Sequence, residues 1–146
     1  IFTLSILFFI FNFLYYINQY FVQQNYYHSE SWQYGWKQAV DYIEPIKDRY
    51  NKIVVTNDRP LDQSYIFFLF YLKYDPNKYL SEGGTVSGGF KEEHRFGRYE
   101  FRGIDWDKEQ ESDLLVGRPE DFPANARVLK VINYLNGKPS ILIVER

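Results

Sequence analysis

The sequence predicts an α/β fold: a small mixed sheet flanked by helices, ending in a C-terminal β-hairpin and preceded by the end of a transmembrane helix. Three observations predict it. Ile1 to Tyr27 carry no Asp, Glu, Lys or Arg. Short β-branched runs then alternate with helically spaced apolar residues. Near the end, Asn136-Gly137 joins two apolar runs, and Asn-Gly is a strong hairpin-turn signal. The organisation expected is a terminal membrane-helix segment over 1–22, a linker over 23–31 and a soluble extracytoplasmic domain over 32–146.

The first element reads Ile-Phe-Thr-Leu-Ser-Ile-Leu-Phe-Phe-Ile-Phe-Asn-Phe-Leu-Tyr-Tyr-Ile, interrupted only by Thr3, Ser5 and Asn12. A bilayer core needs roughly 20 apolar helical residues, and Ile1 to Val22 reach that length. Tyr15, Tyr16, Tyr20, Tyr26 and Tyr27 supply rings suited to the headgroup level. A signal peptide would open on a basic region and end on small residues, and neither is present. An interfacial helix would carry Lys or Arg on one face, which is also missing. Cytoplasmic flanks are rich in Lys and Arg. The stretch from Gln23 to Trp36 has neither, so the following domain is expected on the extracytoplasmic side of the cytoplasmic membrane.

Ser29 or Ser31 is expected to cap a helix starting near Trp32. Trp36, Ala39, Val40, Ile43 and Tyr50 follow at helical spacing, and Pro45 divides the run. Lys52-Ile-Val-Val-Thr56 reads as a buried strand. Pro60 is expected to open a helix over Leu61 to Tyr74, stopped by Asp75-Pro76. Its run Tyr65-Ile-Phe-Phe-Leu-Phe-Tyr-Leu72 implies packing on nearly all sides or contact with a membrane surface. From Asn77 to Gly97 the pattern dissolves, with Gly83-Gly84 and Gly88-Gly89 marking a loop that is functional or disordered. Strands return at Arg98 to Arg102 and Leu114 to Gly117, with helical turns at Asp107 to Ser112 and Pro119 to Phe122. Arg127 to Tyr134 and Ser140 to Val144 form the hairpin.

A length of 146 residues suits one domain plus an appendage and buries a core without staples. The net charge of −2 and a pI near 5.7, with no basic stripe, exclude a nucleic-acid partner. The absence of cysteine excludes disulfides, thiolate metal sites and a cysteine nucleophile. With no methionine, the chain is expected to be part of a longer protein. The mean hydropathy of −0.43 averages an apolar beginning with a polar remainder.

Chemistry is sparse. Glu82-Gly-Gly-Thr-Val-Ser-Gly-Gly-Phe90 lacks the Gly-Lys-Ser/Thr ending of a phosphate loop. Glu92, Glu93 and His94 are adjacent, and three adjacent residues cannot easily converge on one ion, so no metal site is expected. No nucleophile elbow supports a serine triad. Asp58, Asp62 and Asp105 fall just beyond predicted strands, where open α/β sheets place ligands; Asp also caps turns at such positions. Trp32, Trp36 and Trp106 offer flat faces to sugar rings, although Trp32 and Trp36, four apart, equally suit core packing. These six residues are the candidate acceptor or sugar contacts.

Several phrases carry a family likeness: Ser31-Trp-Gln-Tyr-Gly-Trp-Lys-Gln-Ala-Val-Asp-Tyr-Ile43 after a membrane helix, Lys52-Ile-Val-Val-Thr-Asn57, and Gln63-Ser-Tyr-Ile-Phe-Phe-Leu-Phe-Tyr-Leu-Lys-Tyr-Asp-Pro76. Tyr99-Glu-Phe-Arg-Gly-Ile-Asp-Trp106, Val116-Gly-Arg-Pro-Glu-Asp-Phe-Pro123 and Asn136-Gly-Lys-Pro139 complete it. Together they resemble the C-terminal extracytoplasmic domain of bacterial membrane glycosyltransferases of the protein mannosyltransferase-like group. That group covers the dolichyl-phosphate-mannose–protein mannosyltransferase and lipid A aminoarabinose transferase types.

The resemblance implies a multi-pass parent that moves a sugar from a polyprenyl-phosphate donor to a glycan, lipid or protein acceptor on the outer face. In that family the catalytic acids sit in an outer loop near the N-terminus, outside this chain, so no catalytic residue and no cofactor is carried over. The partners implied are the membrane and the parent's other membrane helices. The residues themselves also leave open a membrane-anchored binding domain without transferase activity. An independent hydrolase is disfavoured because no catalytic constellation is visible.

Overall fold

The structure, a computed structural model, describes residues 2–85 and 92–146. Gly88 and Gly89, and with them part of the glycine-rich loop expected from the sequence, lie outside the described residues. The fold is the predicted mixed α/β arrangement with a C-terminal hairpin and an apolar N-terminal helix.

Helix α1 runs over Phe2–Tyr27, with a π-helical turn at Gln19–Gln23. Its 26 residues span about 39 Å at 1.5 Å per residue, enough by length and composition to cross a bilayer. No residue of its first seventeen is buried, so the domain does not cover its phenylalanines. Two of its side-chain amides bond back to its own backbone: Asn12 donates to the Phe8 carbonyl at 2.8 Å and Asn25 to the Phe21 carbonyl at 2.9 Å. That spares a low-dielectric medium an unpaired polar group.

The second helix, α2, begins at Trp36 and ends at Ile43, four residues later than the sequence suggested. Residues 28–35 instead wind into turns, closed by Tyr34 N–H to the Ser29 carbonyl and Gln33 N–H to the Glu30 carbonyl. Gln33 (φ 50°) and Gly35 (φ 118°) take left-handed backbones that a helix from Trp32 cannot contain. Neither Ser29 nor Ser31 caps α2; the Ser29 hydroxyl donates back to the Tyr26 carbonyl. Trp36, Ala39, Val40 and Ile43 form the buried stripe. Tyr50 is buried as expected, but from extended backbone beyond the 3-10 turn Lys47–Arg49.

Strand β1 is Ile53–Val55. Helix α3 is Ser64–Tyr71, not a helix opened by Pro60, because Gln63 is left-handed (φ 58°) and interrupts the winding. The Ser64 hydroxyl ties its start to the Thr56 carbonyl at 2.7 Å. Order also persists where the sequence pattern dissolved. Asp75 caps a helix α4, Pro76–Ser81, accepting from Asn77 N–H and Lys78 N–H at 2.7 and 3.1 Å. A strand β2, His94–Phe96, then precedes β3 at Tyr99–Phe101. The remaining strands are β4 (Leu114–Gly117), β5 (Arg127–Asn133) and β6 (Pro139–Glu145). A 3-10 turn at Pro119–Asp121 matches expectation.

The six strands lie in the order β2-β3-β1-β4-β6-β5, with β3, β1 and β4 parallel and the outer pairs antiparallel. Ile53, Val55, Tyr99, Phe101, Leu114 and Val116 face α2 and α3 across the main core. Val54, Leu115 and Val144 face the other way, under Ile104, Trp106 and Phe122. The β1-to-β3 connection carries α3 over the first face, while the β3-to-β4 connection crosses β1 on the second. The chain leaving β1 passes to α3 on the first face, whereas the chain leaving the adjacent β4 passes to Phe122 on the second, which makes the carboxyl ends of β1 and β4 a topological switch point, where open α/β sheets form ligand crevices.

Candidate functional site

The chain leaving β1 runs Thr56-Asn57-Asp58, and the chain leaving β4 runs Gly117-Arg118-Pro119. Arg118 joins them. Its guanidinium donates to the Arg59 carbonyl at 2.8 Å, lies 3.7 Å from Asp58 Oδ2 and pairs closely with Asp121. Arg118 N–H donates to Asp121 Oδ2 at 2.8 Å and Nε reaches Asp121 Oδ1 at 3.1 Å, so one carboxylate holds both main chain and side chain. Hydrogen bonding to Asp121 raises the Arg118 pKa further above its ordinary value. Gly117 permits this approach: a Cβ there would stand 2.7 Å from both Asp121 Oδ2 and Ile104 Cδ1.

Beside Arg118 opens a cleft of about 230 Å³ lined by Glu30, Pro60, Arg118, Glu120, Tyr134 and Lys138, among others. Glu30 comes only three residues after α1 ends at Tyr27. Its turn is held on the hairpin by the Ser140 hydroxyl donating to the Tyr34 carbonyl at 3.2 Å and by the seating of Gly35 against Ile132. Gln33 adds a bond to Asp62 Oδ1 at 3.0 Å. The end of the apolar helix and the crevice of the sheet thus share a wall. Two carboxylates, a fixed guanidinium, an ammonium and a phenol offer both donors and acceptors, the mixture that a polyhydroxylated ligand needs.

The sequence-predicted residues take separate places. Asp58 belongs to the switch point and is half-exposed. Asp62 accepts from Gln33 and lies 3.6 Å from Arg59 Nε. Asp105 pairs with Lys108 at 2.5 Å, which holds its carboxyl below the usual range. Trp106 is half-buried beneath the Arg146 guanidinium, 4.5 Å above its ring. Trp36 is 1% exposed, with its ring against Phe67 and Phe68 and its Nε1 donating to Gln33. Trp32, in the turn, is exposed. Because Trp32 precedes α2, the two tryptophans do not share a helix face. Sequence reasoning missed Arg118, Glu30 and Tyr134. The available signal was Gly-Arg-Pro-Glu-Asp directly after a buried strand, a turn that folds an arginine back on its own aspartate.

A second group of charges sits on the sheet's other face. Arg102 grips Glu109 through two bonds of 2.6 and 2.9 Å, and Lys52 lies 3.4 Å from Glu109 and 3.5 Å from Asp113. Glu109 and Asp113 are buried, so this network pins the β3-to-β4 connection to the sheet. His94 is buried too, its ring 3.6 Å from that of Tyr65 and its Nε2 without a hydrogen-bond partner. Burial lowers its pKa and favours the neutral imidazole, with Glu92 opposing. Among the described residues no group of three or more His, Cys, Asp or Glu could hold a metal ion. Comparison with protein-family models, curated proteins and solved structures finds no match to this chain.

Proposed function

We propose that this chain is an accessory, non-catalytic extracytoplasmic domain of a multi-pass glycosyltransferase that uses a polyprenyl-phosphate sugar, and that its cleft contacts the glycan part of an acceptor. The observation that carries the reading is the shared wall: Glu30, three residues beyond the apolar helix, lines the same cleft as Arg118. A lipid-phosphate donor holds its reactive phosphate at the headgroup level, so an acceptor site belongs close to the membrane exit. The family resemblance of the phrases around Trp36, Val54, Phe68, Trp106 and Arg118 supports the same assignment.

The test is transfer in membranes from polyprenyl-phosphate sugars, comparing the complete reading frame with this chain alone. Transfer by the complete protein only, weakened by Arg118→Ala through a higher acceptor KM, supports the proposal. Transfer by this chain alone sinks the accessory role. A complete frame with one anchor helix and no transfer favours an anchored binding domain. That second reading has its own supporting observation, a cleft with mixed donors and acceptors a few residues beyond an apolar helix.

A further inference from the structure

Helix α3 carries no charged residue between Ser64 and Tyr71, yet only Ser64, Tyr65 and Phe68 of it are buried. Ile66 is 46% and Phe70 72% exposed, and at i, i+4 they occupy one face. Side by side on one helix face, the two make an outward apolar patch, the kind of surface that marks a membrane or protein contact when it joins a larger one. The flank of this face, at Phe67 and Tyr71, is linked to the end of α1 through Trp32. Trp32, 63% exposed, lines one groove with Tyr16, Tyr20 and Phe21 of α1, and a second with Phe67 and Tyr71 of α3. Trp32 is five residues from the end of α1, a span of at most about 17 Å even if extended. Lys73, exposed just past α3, suits lipid phosphates.

We infer that the outer face of α3, with Ile66 and Phe70 as anchors and Trp32 as the bridge, rests in the interfacial layer of the bilayer that α1 enters. Tryptophan prefers that layer, where an apolar body and a polar rim are both accommodated, and the apolar face of a surface helix sinks into it beside such a ring. The contact fixes the tilt of the domain about the turn at residues 28–35. It needs only a bilayer around α1 and is independent of the transferase reading.

The chain has no cysteine, so single labels are clean. Nitroxides are placed by Phe70→Cys, Ile66→Cys, Phe9→Cys and Asp107→Cys in the full chain. The chain is reconstituted in vesicles of phosphatidylcholine and phosphatidylglycerol. Collision with oxygen, which partitions into lipid, is compared with collision with a water-soluble nickel chelate. At positions 70 and 66 the ratio of oxygen to chelate collisions should lie severalfold above that at position 107, which should be aqueous, and below that at position 9. Aqueous behaviour at both 66 and 70 overturns the inference. Shielding from both reagents with dipolar broadening also overturns it, by assigning the face to a second copy. An aqueous label at position 9 overturns it together with the membrane assignment of α1.

Discussion

Arg118 and Asp58 meet across the carboxyl ends of β4 and β1, with Nη2 3.7 Å from Oδ2. The spacing is loose, and the Asp58 side chain is 45% exposed, whereas Asp121 is nearly buried and tightly bound to the same guanidinium. The two carboxylates therefore do different work. Asp121 builds the turn, and Asp58 stays half-exposed at the edge of the same guanidinium.

This difference predicts unequal costs. Arg118→Ala leaves Asp121 with a single backbone partner in a buried place and should destabilise the chain by about 1–3 kcal/mol. Asp58→Asn removes a screened, partly solvated contact and should cost less than about 1 kcal/mol. Urea denaturation of the full chain in detergent micelles checks both. Equal losses would mean that Asp58 is as structural as Asp121.

Gly35 and Gly137 separate backbone strain from crowding. Both have positive φ, 118° and 85°. A Cβ at Gly137 meets nothing within 4 Å, while one at Gly35 stands 2.9 Å from Ile132 Cγ2. Gly137→Ala should cost about 1 kcal/mol from strain alone. Gly35→Ala should cost roughly 1–3 kcal/mol more as Ile132 is displaced. The same denaturation series measures the difference, and matching values would remove crowding as the reason for glycine at 35.

Helix α3 makes a third contrast. Phe68 is fully buried among Trp36, Tyr99 and Phe101, and Phe70 is not. Phe68→Ala should lose about 3–5 kcal/mol, while Phe70→Ala should stay within about 0.5 kcal/mol in detergent. A large loss at Phe70 would place it in the protein core instead of on an outward face.

These residues also show what the sequence could disclose. Ile53–Val55, Leu114–Gly117 and the Asn136-Gly137 hairpin were legible because β-branched runs and an Asn-Gly turn are local signals. The start of α2 was not, since Gly35 is required by Ile132, almost a hundred residues away. Strand β2 escaped because three residues give too short an alternation, His94 and Phe96 inward and Arg95 outward. Asp75-Pro76 signals a stop in sequence, and in the fold it also starts a helix. Asp58 stands out by its place after a strand, but the ion pair it makes with Arg118 does not, because an arginine after a strand usually reads as solvated surface.

The pH dependence of stability should fall into two windows. His94 is lowered from 6.5 by burial, with Glu92 opposing, so the unfolded chain takes up its proton first and stability declines as pH falls below about 6.5. For Glu109, burial pushes the carboxyl up, but the hydrogen bonds and charge of Arg102, helped by Lys52, outweigh it and hold the group below 4.5. Its contribution is therefore present above about 4.5 and is lost as pH falls through the depressed folded value. His94→Phe keeps a ring against Tyr65 and should flatten the upper window only. Glu109→Gln should lower stability at neutral pH and flatten the lower window only. Denaturation midpoints measured from pH 7.5 to 3.5 resolve the two, and a His94→Phe chain with an unchanged slope near pH 6 would show that this imidazole titrates alike in the folded and unfolded states.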